Sequence, residues 1–239
     1  VSAYGLLGSG EFEPWSVQVD RALLEHATGD GRVLILPTAS AKEGDEIYDG
    51  WAAKGLAHFG GMGIPAEVIP LKTREDAGRA ELVAKLDGAS VAYFSGGNPA
   101  YLASVLVDTP FWDALLHAIG GGLAYIGCSA GVACLGDRAP DSDRIRFGDG
   151  FWQPGLGVFH NIWFGPHWDA VDTYVPGLSD FIVSSVPTGD ALFAIDENTA
   201  AVGDGNRWSV MGAAGVHIYR DGAWSHHPSG TEFTHDLSR

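Results

Sequence analysis

The chain has 239 residues, 46% of them hydrophobic, and a mean hydropathy of +0.05, which suits a globular fold with a full core. Thirty acidic side chains against 14 basic ones give a formal charge of −16. Such a surface repels phosphate backbones and anionic membranes, no basic run offsets it, and no apolar run approaches the length of a membrane span. Nucleic-acid and membrane partners are therefore not expected.

In chain order, short apolar runs alternate with helical spacing. Ala3-Tyr4-Gly5-Leu6-Leu7 reads as a first strand, ended by Gly8-Ser9-Gly10, and residues 15–26 as a helix. Arg32-Val33-Leu34-Ile35-Leu36 is a nearly continuous apolar strand of the kind found in parallel sheets covered on both faces. Residues 45–59 read as a helix with Ile47, Trp51, Leu56 and Phe59 inward, and residues 66–71 as a third strand. A polar-faced helix over 74–86 precedes a fourth strand, Ser90-Val91-Ala92-Tyr93-Phe94, which runs into Ser95-Gly96-Gly97-Asn98-Pro99. Two helical stretches, 101–106 and 110–119, break at Asp108-Thr109-Pro110, and a fifth strand follows over 122–126.

After Gly136 the chain becomes rich in Asp, Gly and Pro, then gives a strand over 158–164 and a helix over 172–183 interrupted by Pro176-Gly177. From Ala191 onward there are short strands with hairpin signals at Asp204-Gly205 and Asp221-Gly222. The pattern predicts an α/β fold: a doubly wound, mostly parallel sheet with helices on both faces and an antiparallel C-terminal extension. No linker or repeat divides residues 1–239, so one domain is expected, with a loose tail over 225–239. Two cysteines on one short stretch argue against a disulfide. With no signal-peptide pattern at the N-terminus, this predicts a cytoplasmic location.

The chemistry concentrates at Gly127-Cys128-Ser129-Ala130-Gly131, between an apolar strand and a small-residue helix. A turn this tight leaves no room for Cβ atoms beside the central residue. It lifts Ser129 above the sheet edge and aims the first amides of the helix at the same point, as in a nucleophile elbow. Cys128 is a rival nucleophile, but Ile126 is too large to flank it, and Cys128 reads as a small buried hydrophobe.

A serine needs a base, and the base needs an orienting acid. Of nine histidines, His167 sits after Pro166 at a strand end, whereas His160 falls inside the expected strand and reads as a packing residue. Spacing leaves the acid open among Asp137, Asp141, Asp143, Asp149, Asp196 and Glu197. Gly96-Gly97-Asn98 is a second anion cradle or, equally, a plain turn with Asn98 capping a helix. His160, His167, Asp169 and Asp172 lack the spacing of a zinc site, and Gly8-Ser9-Gly10 lacks the third glycine of a dinucleotide loop. No metal or cofactor is expected.

Taken together, Gly8-Ser9-Gly10-Glu11, Leu36-Pro37-Thr38-Ala39-Ser40, Phe94-Ser95-Gly96-Gly97-Asn98-Pro99, the elbow, Gly155-Leu156-Gly157-Val158 with Pro166-His167, and Ile195-Asp196-Glu197-Asn198-Thr199-Ala200 resemble the serine peptidases of the dipeptidase E and cyanophycinase family, whose fold is like that of class I glutamine amidotransferases. The resemblance implies Ser129 as nucleophile, His167 as base, Asp141 as acid with Asp143 second, and the amides of Gly97 and Ala130 as the oxyanion hole. Asn98 and Trp168 are the substrate-contacting candidates. It further implies a small peptide substrate cut beside an acidic residue, through an acyl-enzyme. One feature departs from it. No Arg or Lys lies between Arg146 and Arg207, where the dipeptidase branch keeps its carboxylate-binding arginine, so a neutral or cationic substrate is equally compatible. An amidase or esterase of the same fold and an inactive binding protein are the alternatives, and a homodimer is left open.

Overall fold

The computed structural model describes residues 3–144, 147–148 and 150–237. The first half contains β1 (Ala3–Leu7), α1 (Val17–His26), β2 (Val33–Leu36), α2 (Asp45–Gly61), β3 (Ala66–Val68), α3 (Ala80–Val83), β4 (Val91–Phe94), α4 (Pro99–Leu106), α5 (Pro110–Gly120) and β5 (Ala124–Cys128). The second half contains α6 (Ala130–Ala133), β6 (Arg138–Pro140), β7 (Trp152–Pro154), β8 (Ile162–Pro166), α7 (Val171–Tyr174), α8 (Leu178–Ser185), β9 (Ala191–Ile195), β10 (Thr199–Gly203), β11 (Arg207–Gly212), β12 (Gly215–Arg220), β13 (Ala223–Pro228) and β14 (Glu232–Thr234).

Strands β1, β5, β4, β2 and β3 lie side by side and parallel, and β10, β11 and β14 extend this sheet antiparallel from β1. Strands β2, β4 and β5 are buried at every position because both faces are covered, whereas β3 at the edge carries Glu67 and is partly exposed. Alternate residues serve two cores. Leu6, Leu34, Leu36, Ala92, Phe94 and Tyr125 pack against Leu102, Leu106, Phe111 and Leu115 of α4 and α5. Leu7, Val33, Ile35, Val91, Tyr93 and Ile126 pack against Val19, Leu23 and Phe59 of α1 and α2. Helices therefore cover both faces, as the sequence pattern predicts.

The C-terminal part is more elaborate than an extension of one sheet. Strands β8, β9, β12 and β13 form a second sheet in the order β13-β12-β9-β8, in which β8 and β9 run parallel. Phe164, Phe193, Ile195, Val216 and Ile218 of this sheet share a core with Ala201, Trp208 and Val210 of the large one. Its other face, with Trp163, Leu192 and Ala194, is covered by Val171 and Ile182 of α7 and α8.

Three expectations need correction. The tail is ordered through residue 237: β13 pairs along β12, β14 pairs with β11, and Leu237 is fully buried. The ring of Phe233 stacks on His227 at 4.1 Å, an apolar anchor that a polar-looking composition conceals. Helix α2 keeps Phe59 inward as expected but shares that face with Tyr48, Ala52 and Gly55, while Ile47 and Leu56 are 43% and 42% exposed. Gly55 lies so close to Ile35 that a Cβ there would come within 2.9 Å of its Cδ1, so the small residues let the helix settle on the sheet. The strand placed over 158–164 begins only at Ile162. Asn161 adopts φ 60° in a turn, and the Asp137 carboxylate accepts bonds from the Asn161 amide at 3.0 Å and the His160 ring at 2.7 Å.

No single helix among the described residues is long and apolar enough to cross a membrane. Helices α4 and α5 pass that test only as a pair bent by 95° at the predicted break.

Candidate active site

The carboxyl ends of β1, β4 and β5 are adjacent, so the loops that leave them gather at one edge, the usual place for a site in such sheets. Ser129 follows β5 directly, with φ 51° and ψ −103°, an uncommon conformation for a residue with a side chain and one that concentrates at functional turns. Its amide donates to the Leu7 carbonyl at 3.0 Å, which ties the elbow to β1. The two framing glycines are steric requirements. A Cβ at Gly127 would lie 2.3 Å from the Gly131 carbonyl oxygen, and one at Gly131 would lie 2.6 Å from that of Phe94.

Cys128 is fully buried, and its thiol donates to Oε2 of Glu11 at 2.9 Å. Burial first, and the Glu11 carboxylate second, push the thiol well above its ordinary value. It stays protonated, as a small buried group with one hydrogen bond, and a thiolate is disfavoured there.

His167 Nε2 lies 2.6 Å from Ser129 Oγ. Its Nδ1 lies 3.1 Å from Oε1 of Glu197. A carboxylate can only accept, so Nδ1 carries the proton and Nε2 presents its lone pair to the serine hydroxyl. Asp141, expected as the acid, is bonded to groups other than His167. Asp141 accepts from the Asn98 side-chain amide at 2.8 Å and from the Asp143 backbone amide at 3.2 Å, and it pairs with Arg144 at 3.2 Å. Lys42 approaches it at 4.0 Å and pairs more closely with Asp143. Burial acts to raise the Asp141 carboxyl, but Asn98, the Asp143 amide, Lys42 and Arg144 together hold it below its ordinary value.

The remaining candidate acids are also engaged away from His167. Asp137 serves His160 and Asn161. Asp196 is buried and accepts from the Gly215 amide at 3.0 Å and the His217 ring at 2.9 Å. Asp149 lies outside the described residues.

Glu197 owes its place to the second sheet. Strands β8 and β9 are parallel with Pro166 opposite Ile195, so the residues just past each strand, His167 and Asp196-Glu197, emerge at the same edge. The Asp169 carboxylate accepts the Glu197 amide at 2.9 Å and holds the turn. The Tyr174 hydroxyl donates to the same Oε1 at 2.7 Å, and its ring lies edge-on to His167 with centroids 5.9 Å apart. The Tyr174 bond, helped by His167 and opposed by desolvation, holds the Glu197 carboxyl below its ordinary value. The sequence offered no local signal for Tyr174, which sits in a one-turn helix ahead of Pro176-Gly177.

The amides proposed for the oxyanion are on the two expected loops. Gly97, with φ 142°, lies against the turn that follows β2, where a Cβ would come within 2.4 Å of the Ala39 carbonyl carbon, and Ala130 opens α6. Asn98 takes the simpler of its two readings. It is 2% exposed, its oxygen caps α4 by accepting from the Tyr101 amide at 2.9 Å, and its own amide donates to Ala39. Trp168 is half-buried beside Trp224, at 5.4 Å between ring centroids, and packs on the outer face of the second sheet. Among the described residues no group of three His, Cys, Asp or Glu side chains is arranged to hold a metal.

Residues 5–210 match the model of peptidase family S51. The chain belongs to this family. The chain is similar to a cyanophycinase from Nostoc sp., 25% identical over 198 residues that make up 78% of this chain and 62% of the relative. The chain thus spans about three-fifths of the length of that relative. A Peptidase E from Streptomyces coelicolor is 32% identical over 125 residues, 49% of this chain and 46% of the relative. Among solved structures, that of a peptidase from an acI-B1 Actinobacterium superposes with a TM-score of 0.90 at 30% identity and covers 98% of this chain and 97% of its own. A match of that extent carries the two-sheet arrangement as well as the central one.

Proposed function

We propose that this S51 chain is a serine peptidase that cleaves a peptide or isopeptide bond of a small peptide through an acyl-enzyme on Ser129. The observation that carries the reading is the 2.6 Å contact between Ser129 Oγ and His167 Nε2, with Glu197 on the opposite ring nitrogen. In the reaction His167 takes the hydroxyl proton as Oγ adds to the scissile carbonyl carbon. The amides of Gly97 and Ala130 receive the negative charge on the carbonyl oxygen. His167 then gives its proton to the leaving nitrogen as the C–N bond breaks. Water, deprotonated by the same ring, hydrolyses the ester and restores Ser129. Glu197, assisted by Tyr174, keeps the proton on Nδ1 and stabilises the transient imidazolium, the role that the resemblance gave to Asp141.

Cyanophycinase and Peptidase E relatives favour small peptides or isopeptides as substrates. The side chain accepted next to the scissile bond is set by this chain's own residues, and the stretch between 147 and 206 supplies no cationic side chain to meet an acidic one. Both cysteines are free and buried, which fits a reducing compartment such as the cytoplasm.

The test is a screen of dipeptide and peptide-amide libraries with the native protein and with Ser129→Ala. Substitution of the serine is expected to lower kcat by about 10⁴-fold or more. Hydrolysis that survives the change would remove the proposal.

A further inference from the structure

Glu11 is a buried carboxylate that takes no part in the chemistry above. It is 5% exposed and lies in the turn by which the chain leaves β1. Gly10 and Phe12 on either side have φ 74° and 62°. A bulky residue such as Phe12 adopts that backbone only when its surroundings hold it there. Here its ring packs 4.6 Å from Tyr93, 5.8 Å from His58 and 6.2 Å from Phe59, centroid to centroid. The strained turn is thus fixed by the core, and it directs Glu11 beneath the elbow.

Among the described residues each Glu11 oxygen accepts one hydrogen bond. Oε1 accepts from the Gly96 amide at 2.8 Å, and Oε2 accepts from the Cys128 thiol at 2.9 Å. Gly96 precedes the Gly97 amide assigned to the oxyanion, and Cys128 precedes the nucleophile. The three groups are crowded together: a Cβ on Gly96 would lie 3.2 Å from Glu11 Oε1 and 3.6 Å from Ser129 Cβ. One side chain therefore joins the carboxyl ends of β1, β4 and β5. The Gly96-Gly97 pair has no side chains of its own with which to hold its position, and glycine backbone is otherwise the freest in the chain.

We propose that Glu11 is a positioning residue for acyl transfer, fixing the Gly96-Gly97 backbone against Ser129 so that the Gly97 amide meets the developing oxyanion. It acts through the location of its acceptor oxygen and not through its charge. This rests on the reading of Ser129 as the nucleophile.

Two substitutions separate location from charge. Glu11→Gln keeps an oxygen on a side chain of the same length and loses the charge. Glu11→Asp keeps the charge and withdraws both oxygens by about one C–C bond, roughly 1.5 Å. The measurement is the second-order rate at which diisopropyl fluorophosphate labels Ser129, followed by intact mass, with unfolding temperature recorded for each protein. Glu11→Gln is expected to label about threefold more slowly than the native chain. Glu11→Asp is expected to label about 100-fold more slowly, the scale of losing one oxyanion donor. On a peptide substrate that loss falls on kcat and not on KM.

A Glu11→Asp protein that labels at the native rate, or faster than Glu11→Gln, overturns the role of Glu11 alone. So does a slowing that simply follows unfolding temperature in both variants. If Glu11→Asp does not fold, Glu11→Gln decides: slowing beyond about tenfold overturns the role, and less supports it. A native chain that is never labelled overturns the Ser129 reading itself, and this role with it.

Discussion

Asp141 and Glu197 are partly buried carboxylates, 15% and 27% exposed at the side chain, and neighbours hold both below their ordinary values. They differ in what those neighbours are. Asp141 faces two cations, Lys42 and Arg144, together with a buried amide of Asn98. Its charge is spent on tying the loop after β6 to the first turn of α4. Among the described residues the Glu197 carboxylate bonds to the Tyr174 hydroxyl and His167 Nδ1. Among the described residues no Lys or Arg pairs with it, so its charge is available to an imidazolium when one forms. A carboxylate near a histidine is therefore useful to it only where other cations have not already claimed the negative charge.

The largest effect that would sharpen this contrast is expected from Glu197→Gln. It should lower kcat by about 10²–10⁴-fold with little change in KM, because the wrong proton arrangement on His167 becomes accessible. Steady-state kinetics of Glu197→Gln beside Asp141→Asn checks this, and a larger loss in the Asp141 variant would reverse the assignment. Next, Tyr174→Phe should lower kcat/KM by about three- to tenfold. One hydrogen bond to a carboxylate is lost there, and its worth is reduced because Tyr174 is 64% exposed.

Asp141→Ala should act mainly on stability. It leaves the buried Asn98 amide without its acceptor and costs about 1–3 kcal/mol, read from urea unfolding, while kcat falls by less than about tenfold. The smallest effect concerns pH. The folded-state value of Asp141 lies below the ordinary 3.8, so its stabilising contribution is complete above that value and is lost as pH falls through the lower folded one. The stability gap between the native chain and Asp141→Ala should accordingly be constant near neutrality and narrow only in strong acid. A gap that closes between pH 5 and 7 would contradict the ion-pair account.

Much of the fold was legible because its signals are local. The continuous apolar run at 33–36 and the strand ending at Phe94 announced a covered parallel sheet, and Asp108-Thr109-Pro110 announced the break between α4 and α5. Where the expectation failed, a partner remote in sequence was the cause. Helix α2 buries Gly55 and Ala52 because Ile35 approaches closely, which periodicity cannot foresee. The tail is ordered because β11 and β12 are there to receive it.

The candidate site divides the same way. The pattern of Gly127, Ser129 and Gly131 could be read from the sequence alone: the clash that demands glycine at 127 comes from the Gly131 carbonyl within the same turn, whereas the one at 131 comes from the Phe94 carbonyl of the neighbouring strand. His167 was marked by its place after Pro166. The placement of Glu197 and not Asp141 beside His167, and the inward turn of Glu11, were decided only by the tertiary structure. The first depends on β8 and β9 pairing side by side, and the second on Phe12 finding the rings of Tyr93 and Phe59. The glycine that opens such a turn answers to its own neighbours in sequence, whereas the groups that gather around the histidine and beneath the serine are set by which strands become neighbours.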